Sequence, residues 1–153
     1  MSDHPFVPAD FAVPGGLTAA EFRLEPLGPQ HNEADYAAWT ASMDHIRATP
    51  GFAASTWPHP MTAAENRRDL ERHAADFAAR RGFTYTVLSA GPGEVIGCVY
   101  IYPPRGDAPE SSAVVRSWVR VDSGGLDPVL YRAVAGWLAR DWPFVSVEYA
   151  PRD

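Results

Sequence analysis

The sequence predicts an α+β domain built on one mixed sheet, with its elements in the order β-α-α-β-β-β-α-β. Two observations carry that reading. The alternating runs Phe83 to Ser89 and Val95 to Tyr102 flank Ala90-Gly91-Pro92-Gly93-Glu94, which is the pattern of an antiparallel hairpin. Further on, an extended apolar segment ending in Trp118-Val119-Arg120-Val121 enters the turn Asp122-Ser123-Gly124-Gly125-Leu126-Asp127-Pro128. A helical pattern to Asp141 and a strand-like Val145-Ser146-Val147-Glu148-Tyr149 follow it. A strand–turn–helix–strand unit of this kind makes its two strands parallel, so the expected sheet is mostly antiparallel with one parallel pair between the fourth and fifth strands.

The elements follow in order. Residues 1–20 are rich in Pro and Gly with scattered Phe6, Val7, Phe11 and Val13, and read as an irregular arm before a single domain at 21–153. Phe22-Arg23-Leu24-Glu25-Pro26-Leu27 alternates and stops at Pro, giving the first strand. Tyr36, Trp39, Met43 and Ile46 lie three or four apart on one helical face, and Pro50-Gly51 ends that helix. The segment from 52 to 61 is a loop, in which Trp57-Pro58-His59-Pro60 denies regular backbone pairing. Thr62-Ala63-Ala64-Glu65 has the form of a capping box, Leu70, Ala74 and Phe77 make the buried stripe of the second helix, and Gly82 is its expected stop. After the hairpin, a loop at 103–109 precedes a strand from about 112 to 121. The last helix starts at Pro128 with Asp127 as expected N-cap, its apolar face formed by Val129, Leu130, Ala133, Val134, Trp137 and Leu138.

Composition narrows the function. The 153 residues are 46% hydrophobic and 21% charged, ordinary for a globular domain with its own core. A net charge of -6 disfavours nucleic acid and anionic membrane as partners. No apolar run nears the ~20 residues of a membrane span, and no basic-then-apolar leader opens the chain, so the expected location is the cytoplasm. The single Cys98 lies in an apolar strand pattern and reads as a small buried hydrophobe. His4, His31, His45, His59 and His73 show no metal-ligand spacing, so no metal is expected.

The element order, from about 22 to 149, resembles that of the GNAT superfamily of acyl-CoA N-acyltransferases. Glu94-Val95-Ile96-Gly97-Cys98-Val99-Tyr100 is similar to the superfamily's third strand, and Trp118-Val119-Arg120-Val121 to its fourth, whose backbone pairs with the pantetheine arm of the cofactor. The resemblance implies acetyl-CoA as co-substrate and a small amine as acceptor. It places Val119, Arg120 and Val121 along pantetheine, and Gly124, Gly125 and Leu126 before the pyrophosphate. The superfamily's phosphate motif is Arg/Gln-x-x-Gly-x-Gly/Ala; the turn here keeps two glycines but carries Asp122 and Asp127 and loses one N–H to Pro128. The superfamily usually continues past the fifth strand with a helix that carries a Tyr general acid. The chain is short on that side, and Tyr149 is the tyrosine at hand.

Amine acylation needs a group that takes a proton from the ammonium. Glu110, just before the fourth strand, and Glu148, within the fifth, are the candidate bases; plain surface placement is the other reading of each. Arg116, Trp118 and Arg120 alternate onto one strand face, and with Trp57 they form the candidate substrate contacts. Three functions stay open: an N-acetyltransferase; a non-catalytic relative acting as a binding or dimerisation module with a decayed CoA site; and a binder of anionic or aromatic molecules on the Arg116–Trp118–Arg120 face. The last strand leaves a sheet edge that a second copy of the chain would complete as a homodimer.

Overall fold

A computed structural model describes residues 5–106 and 108–152. Met1 to His4, Asp107 and Asp153 lie outside the described residues, and with them the start of the expected arm, His4, one position of the 103–109 loop and the expected last residue of the domain. Six strands, β1 (Leu17–Thr18), β2 (Phe22–Pro26), β3 (Phe83–Ser89), β4 (Val95–Tyr102), β5 (Ser112–Val119) and β6 (Ser146–Tyr149), form one sheet in sequence order. Every neighbouring pair is antiparallel except β5/β6, which is parallel. Among the described residues, four α-helices complete the fold: α1 (Asn32–Thr40), α2 (Met43–Arg47), α3 (Ala63–Ala78) and α4 (Asp127–Asp141). The α+β mixed sheet is thus the predicted one, with a two-residue strand added at its first edge.

Both faces of the sheet are covered. Phe22, Tyr85, Val99, Ile101 and Val115 on one face meet Leu130, Val134, Trp137 and Leu138 of α4. Leu88, Cys98 and Trp118 on the other meet Ala38, Trp39 and Ile46 of the first two helices. The six buried residues in a row in β3 follow from this double cover, which removes the in–out alternation of a half-wet strand. Each large apolar side chain so buried contributes about 1.5–3 kcal/mol. Cys98 is buried, as its apolar surroundings predicted. Ahead of β1, Val7 is buried, Phe6 stacks on Phe83 and Phe144, and the Tyr85 hydroxyl donates to the Pro14 carbonyl at 2.6 Å.

Three local expectations change. The helix read through Tyr36 and Ile46 is two helices. Ser42 leaves helical geometry between them because its hydroxyl donates to the Ala38 carbonyl at 2.8 Å and accepts the Val121 N–H at 3.0 Å. The Thr62–Glu65 capping box forms in both directions, but Gly82 does not stop α3. Arg80 does, with φ of 60°, and its guanidinium donates to the carbonyls of Pro8 and Phe11. Gly82 instead leaves room for the Tyr102 ring, which a Cβ there would meet at 2.1 Å. Asp127 does not cap α4; Val121–Leu126 runs into the helix as a 3₁₀ turn, and the carboxylate turns to Arg152.

Gly97 leaves no room for a side chain between β4 and β5. A methyl at Gly97 would lie 2.3 Å from the Trp118 carbonyl oxygen, a backbone atom that cannot turn aside. Gly97→Ala is expected to lower the unfolding free energy by about 1–3 kcal/mol, seen as a lower urea midpoint at unchanged m-value. An unchanged midpoint would mean that the two strands move apart freely.

Candidate functional site

β6 pairs with β5 only from Ser112 to Val115; Val115 lies opposite Tyr149, and β5 then continues alone on that side to Val119. Peptide groups two apart on a strand point to the same edge, so Ser117 and Val119 present theirs alike. At this edge Arg152 donates from Nη2 to the Ser117 carbonyl at 2.7 Å, from Nη1 to the Ala150 carbonyl at 2.7 Å, and from Nε to Asp127 Oδ2 at 2.8 Å. Its side chain is only 2% exposed, and its guanidinium lies over the Tyr149 ring, 5.7 Å from the centroid. An arginine that no sequence pattern singled out thus ties the end of β6, the open half of β5 and the start of α4 into one knot.

The predicted cofactor and acid residues sit around that knot. Val119 is buried and lies opposite Gly97 of β4. Arg120 has left the strand; its side chain binds Asp122 at 2.8 Å, with Glu94 at 3.9 Å. Val121 is exposed and gives its N–H to Ser42. Gly124 and Gly125 lie in the 3₁₀ turn without left-handed backbone, and a Cβ on Gly125 would meet nothing within 4 Å. Leu126 packs against the core under α4. The Tyr149 hydroxyl shares a 2.6 Å bond with Ser117 Oγ, and burial pushes its pKa up to about 12. A hydroxyl engaged in this way is held protonated and turned into the core.

The substrate candidates part company. Trp118 is wholly buried and donates to the Tyr100 hydroxyl at 2.9 Å, so no Arg116–Trp118–Arg120 face exists. Alternation predicted that face; the cover of α1 and α2 removes it. Arg116 and Trp57 do come together. Both line a pocket of about 220 Å³ between α1, α3 and β4, beside Asp35, Asn66, His73 and Tyr100. A second groove of about 520 Å³ shares His73, Tyr100 and Arg116 and adds Glu148. Glu110, exposed in the turn before β5, lines neither hollow.

His73 and Asp35, both missed in the sequence, are the chemically distinctive groups here. Tyr102 donates to Asp76 Oδ2 at 2.9 Å, so its oxygen accepts from His73 Nδ1 at 2.8 Å. That assignment leaves Nε2 of the neutral ring as the acceptor, and burial lowers the His73 pKa so that the ring stays neutral. The only sequence trace of this relay is the i, i+3 spacing of His73 and Asp76 on α3. Asp35 is 4% exposed and receives Asn66 Nδ2 at 3.0 Å. Desolvation raises its pKa to about 6, against the bond from Asn66. Among the described residues, no cluster of His, Cys, Asp or Glu could hold a metal ion, and no helix is long and apolar enough to cross a membrane.

A carboxyl group whose folded pKa exceeds its unfolded value opposes folding above the folded pKa, and the penalty disappears below the unfolded one. For Asp35 that window runs from about 6 down to 3.8. Asp35→Asn is therefore expected to raise the unfolding free energy at pH 7.5 by roughly 1–3 kcal/mol, with no gain left near pH 3.5. Urea titrations at the two pH values read this directly, and an equal effect at both would remove ionisation as the cause.

No family model and no curated protein matches the sequence. Solved structures do match in fold. Mycobacterium smegmatis RimJ in complex with CoA-disulfide aligns with a TM-score of 0.65 at 16% identity, over 86% of this chain and 62% of that one. The RimL ribosomal L7/L12 α-N-protein acetyltransferase in complex with coenzyme A gives 0.64 at 12%, over 82% and 68%. The microcin C7 self-immunity acetyltransferase MccE, in complex with acetyl-CoA and AMP, gives 0.63 at 13%, over 83% and 66%. The chain spans about two thirds of the length of these proteins. The mixed sheet with its parallel β5/β6 pair, together with these likenesses, shows that the chain has a divergent GNAT fold.

Proposed function

We propose that the chain is an N-acetyltransferase that moves an acetyl group from acetyl-CoA to a small amine. The observation that carries this reading is the half-open β5, whose free backbone edge lies next to a groove containing a neutral, oriented imidazole. Arg152 on the Ser117 carbonyl shows that the edge accepts an N–H donor, the bond a pantetheine amide would make there. Bound acetyl-CoA would supply the thioester carbonyl that the amine attacks. In this reading Val119 pairs with the cofactor arm, and Gly124 to Leu126 face the pyrophosphate. Trp57 and Arg116 line the acceptor's approach, and Glu148 attracts its ammonium form into the groove. Nε2 of His73 takes the proton as the new N–C bond forms and the C–S bond breaks; Tyr102 and Asp76 hold the ring through Nδ1. Glu110 has no part in this arrangement, and the inward turn of Tyr149 leaves protonation of the departing thiolate to solvent.

Arg152 and Asp127 also favour a second reading, a non-catalytic binding module in which the knot has replaced the cofactor. Its partner would be a second copy of the chain on the outer edge of β6, where Val145 and Val147 are exposed.

Titration calorimetry with acetyl-CoA separates the two. Saturable binding in the micromolar range is expected, and Gly125→Glu, which has open space around its Cβ, should weaken it at least tenfold. Unchanged binding in that variant would take the turn out of the site; no binding to wild type up to millimolar cofactor would leave the second reading standing. With an acceptor in hand, His73→Gln should lower kcat by roughly 10²-fold with little change in the acceptor KM. A kcat within twofold of wild type would remove His73 as the base.

A further inference from the structure

The opening beside the second half of β5 is not vacant. Strand pairing with β6 ends at Val115 and Tyr149, and Ala150, Pro151 and Arg152 follow without regular structure. From there the Arg152 side chain folds back into the gap, where it is only 2% exposed. Its Nη2 donates to the Ser117 carbonyl at 2.7 Å. That carbonyl is an acceptor which the acetyl-CoA reading gives to a pantetheine amide, so guanidinium and cofactor arm compete for the same strand edge.

Two features make this closure one that a ligand can open. The segment is fastened through a single side chain. Among the described residues, its hydrogen bonds to the body of the protein run from the Arg152 guanidinium to Ser117 and to Asp127 Oδ2, while the third returns to the segment's own Ala150 carbonyl. The fastening is also incomplete, because Asp127 Oδ1 is buried and has no hydrogen-bond partner among the described residues. A buried oxygen left without a donor raises the free energy of the closed state.

We propose that Arg152 is a gate on the cofactor site, closed in the free protein, and that the cofactor arm enters by taking the Ser117 carbonyl from it. The proposal rests on the acetyl-CoA reading and adds regulation to that site. The apparent dissociation constant is then the intrinsic one divided by the fraction of molecules that are open, so a change that loosens Arg152 tightens binding. A purely structural ion pair has the opposite consequence, since its loss disturbs the end of β5 and weakens binding.

The test is titration calorimetry of the full chain with CoA, and separately with pantetheine, on wild type and two variants that keep the net charge. Arg152→Lys keeps a cation for Asp127 but replaces the planar fork with a compact ammonium, which lacks the span to hold Ser117, Ala150 and Asp127 together. Asp127→Asn/Arg152→Ala removes both partners, so no buried charge is left alone. The double variant should bind CoA at least tenfold more tightly than wild type, and Arg152→Lys by a smaller factor. Pantetheine, which carries no phosphate, should gain alike, because the gain lies at the strand edge.

Equal or weaker CoA binding in the folded double variant, with wild-type binding intact, overturns the gate and leaves acetyl transfer standing. A gain for CoA without one for pantetheine overturns it too, since the change would then lie at the phosphates. Absence of binding to all three proteins removes the acetyl-CoA reading and the gate together. Should circular dichroism show the double variant unfolded, Arg152→Lys decides: tighter binding supports the gate, and unchanged or weaker binding overturns it.

Discussion

The short parallel pairing of β6 with β5 is the constraint on which the rest of the molecule depends. A parallel pair cannot be closed by a tight turn, so the chain crosses over through α4, which lays Leu130, Val134, Trp137 and Leu138 across the sheet. Because the pairing ends at Val115 and Tyr149, the second half of β5 is left with a strand on one side only. Peptide groups away from water must find partners. Arg152 meets that need at Ser117, and in doing so draws Asp127 away from the role of helix cap. The same register sets Glu148 beside Val114, bringing a carboxylate from β6 and Arg116 from β5 to one groove.

Three buried or half-buried aspartates show how the site divides its electrostatics. Asp127 is matched by a guanidinium, and Asp76 receives the Tyr102 hydroxyl. Asp35 is the most deeply buried of the three and receives one amide donor, from Asn66. Desolvation holds its carboxyl above the usual range, a perturbation that gathers at functional sites. His73 is the complementary case: burial keeps it neutral, and a fixed partner on Nδ1 leaves Nε2 as the acceptor. These groups gather around the two adjoining hollows because α3 packs on β3, from where His73 reaches both Tyr100 and Tyr102 of β4.

Much of this was legible in one dimension. Period-2 and period-3.6 patterns located the hairpin, α3 and α4, and the Thr62–Glu65 box placed a helix start to the residue, since capping bonds join groups three residues apart. Element order alone implied the parallel last pair and with it the fold. What failed were readings in which a distant element decides who covers a surface. Alternation put Arg116, Trp118 and Arg120 on one face, yet α1 and α2 bury Trp118 and the chain turns away before Arg120. Ser42 breaks a helix because Val121, far along the chain, supplies the N–H.

The sequence by itself therefore determined the elements and their order, because those depend on neighbours within a few residues and on the count of apolar positions per turn. Only the tertiary structure decided the site. Asp35, His73 and Arg152 are ordinary polar residues in the sequence, and their chemistry comes from desolvation and from partners 25 to 35 residues away, such as Asp127, Asn66, Tyr102 and Ser117. Burial and long-range pairing are properties of the packed chain, and no local pattern encodes them.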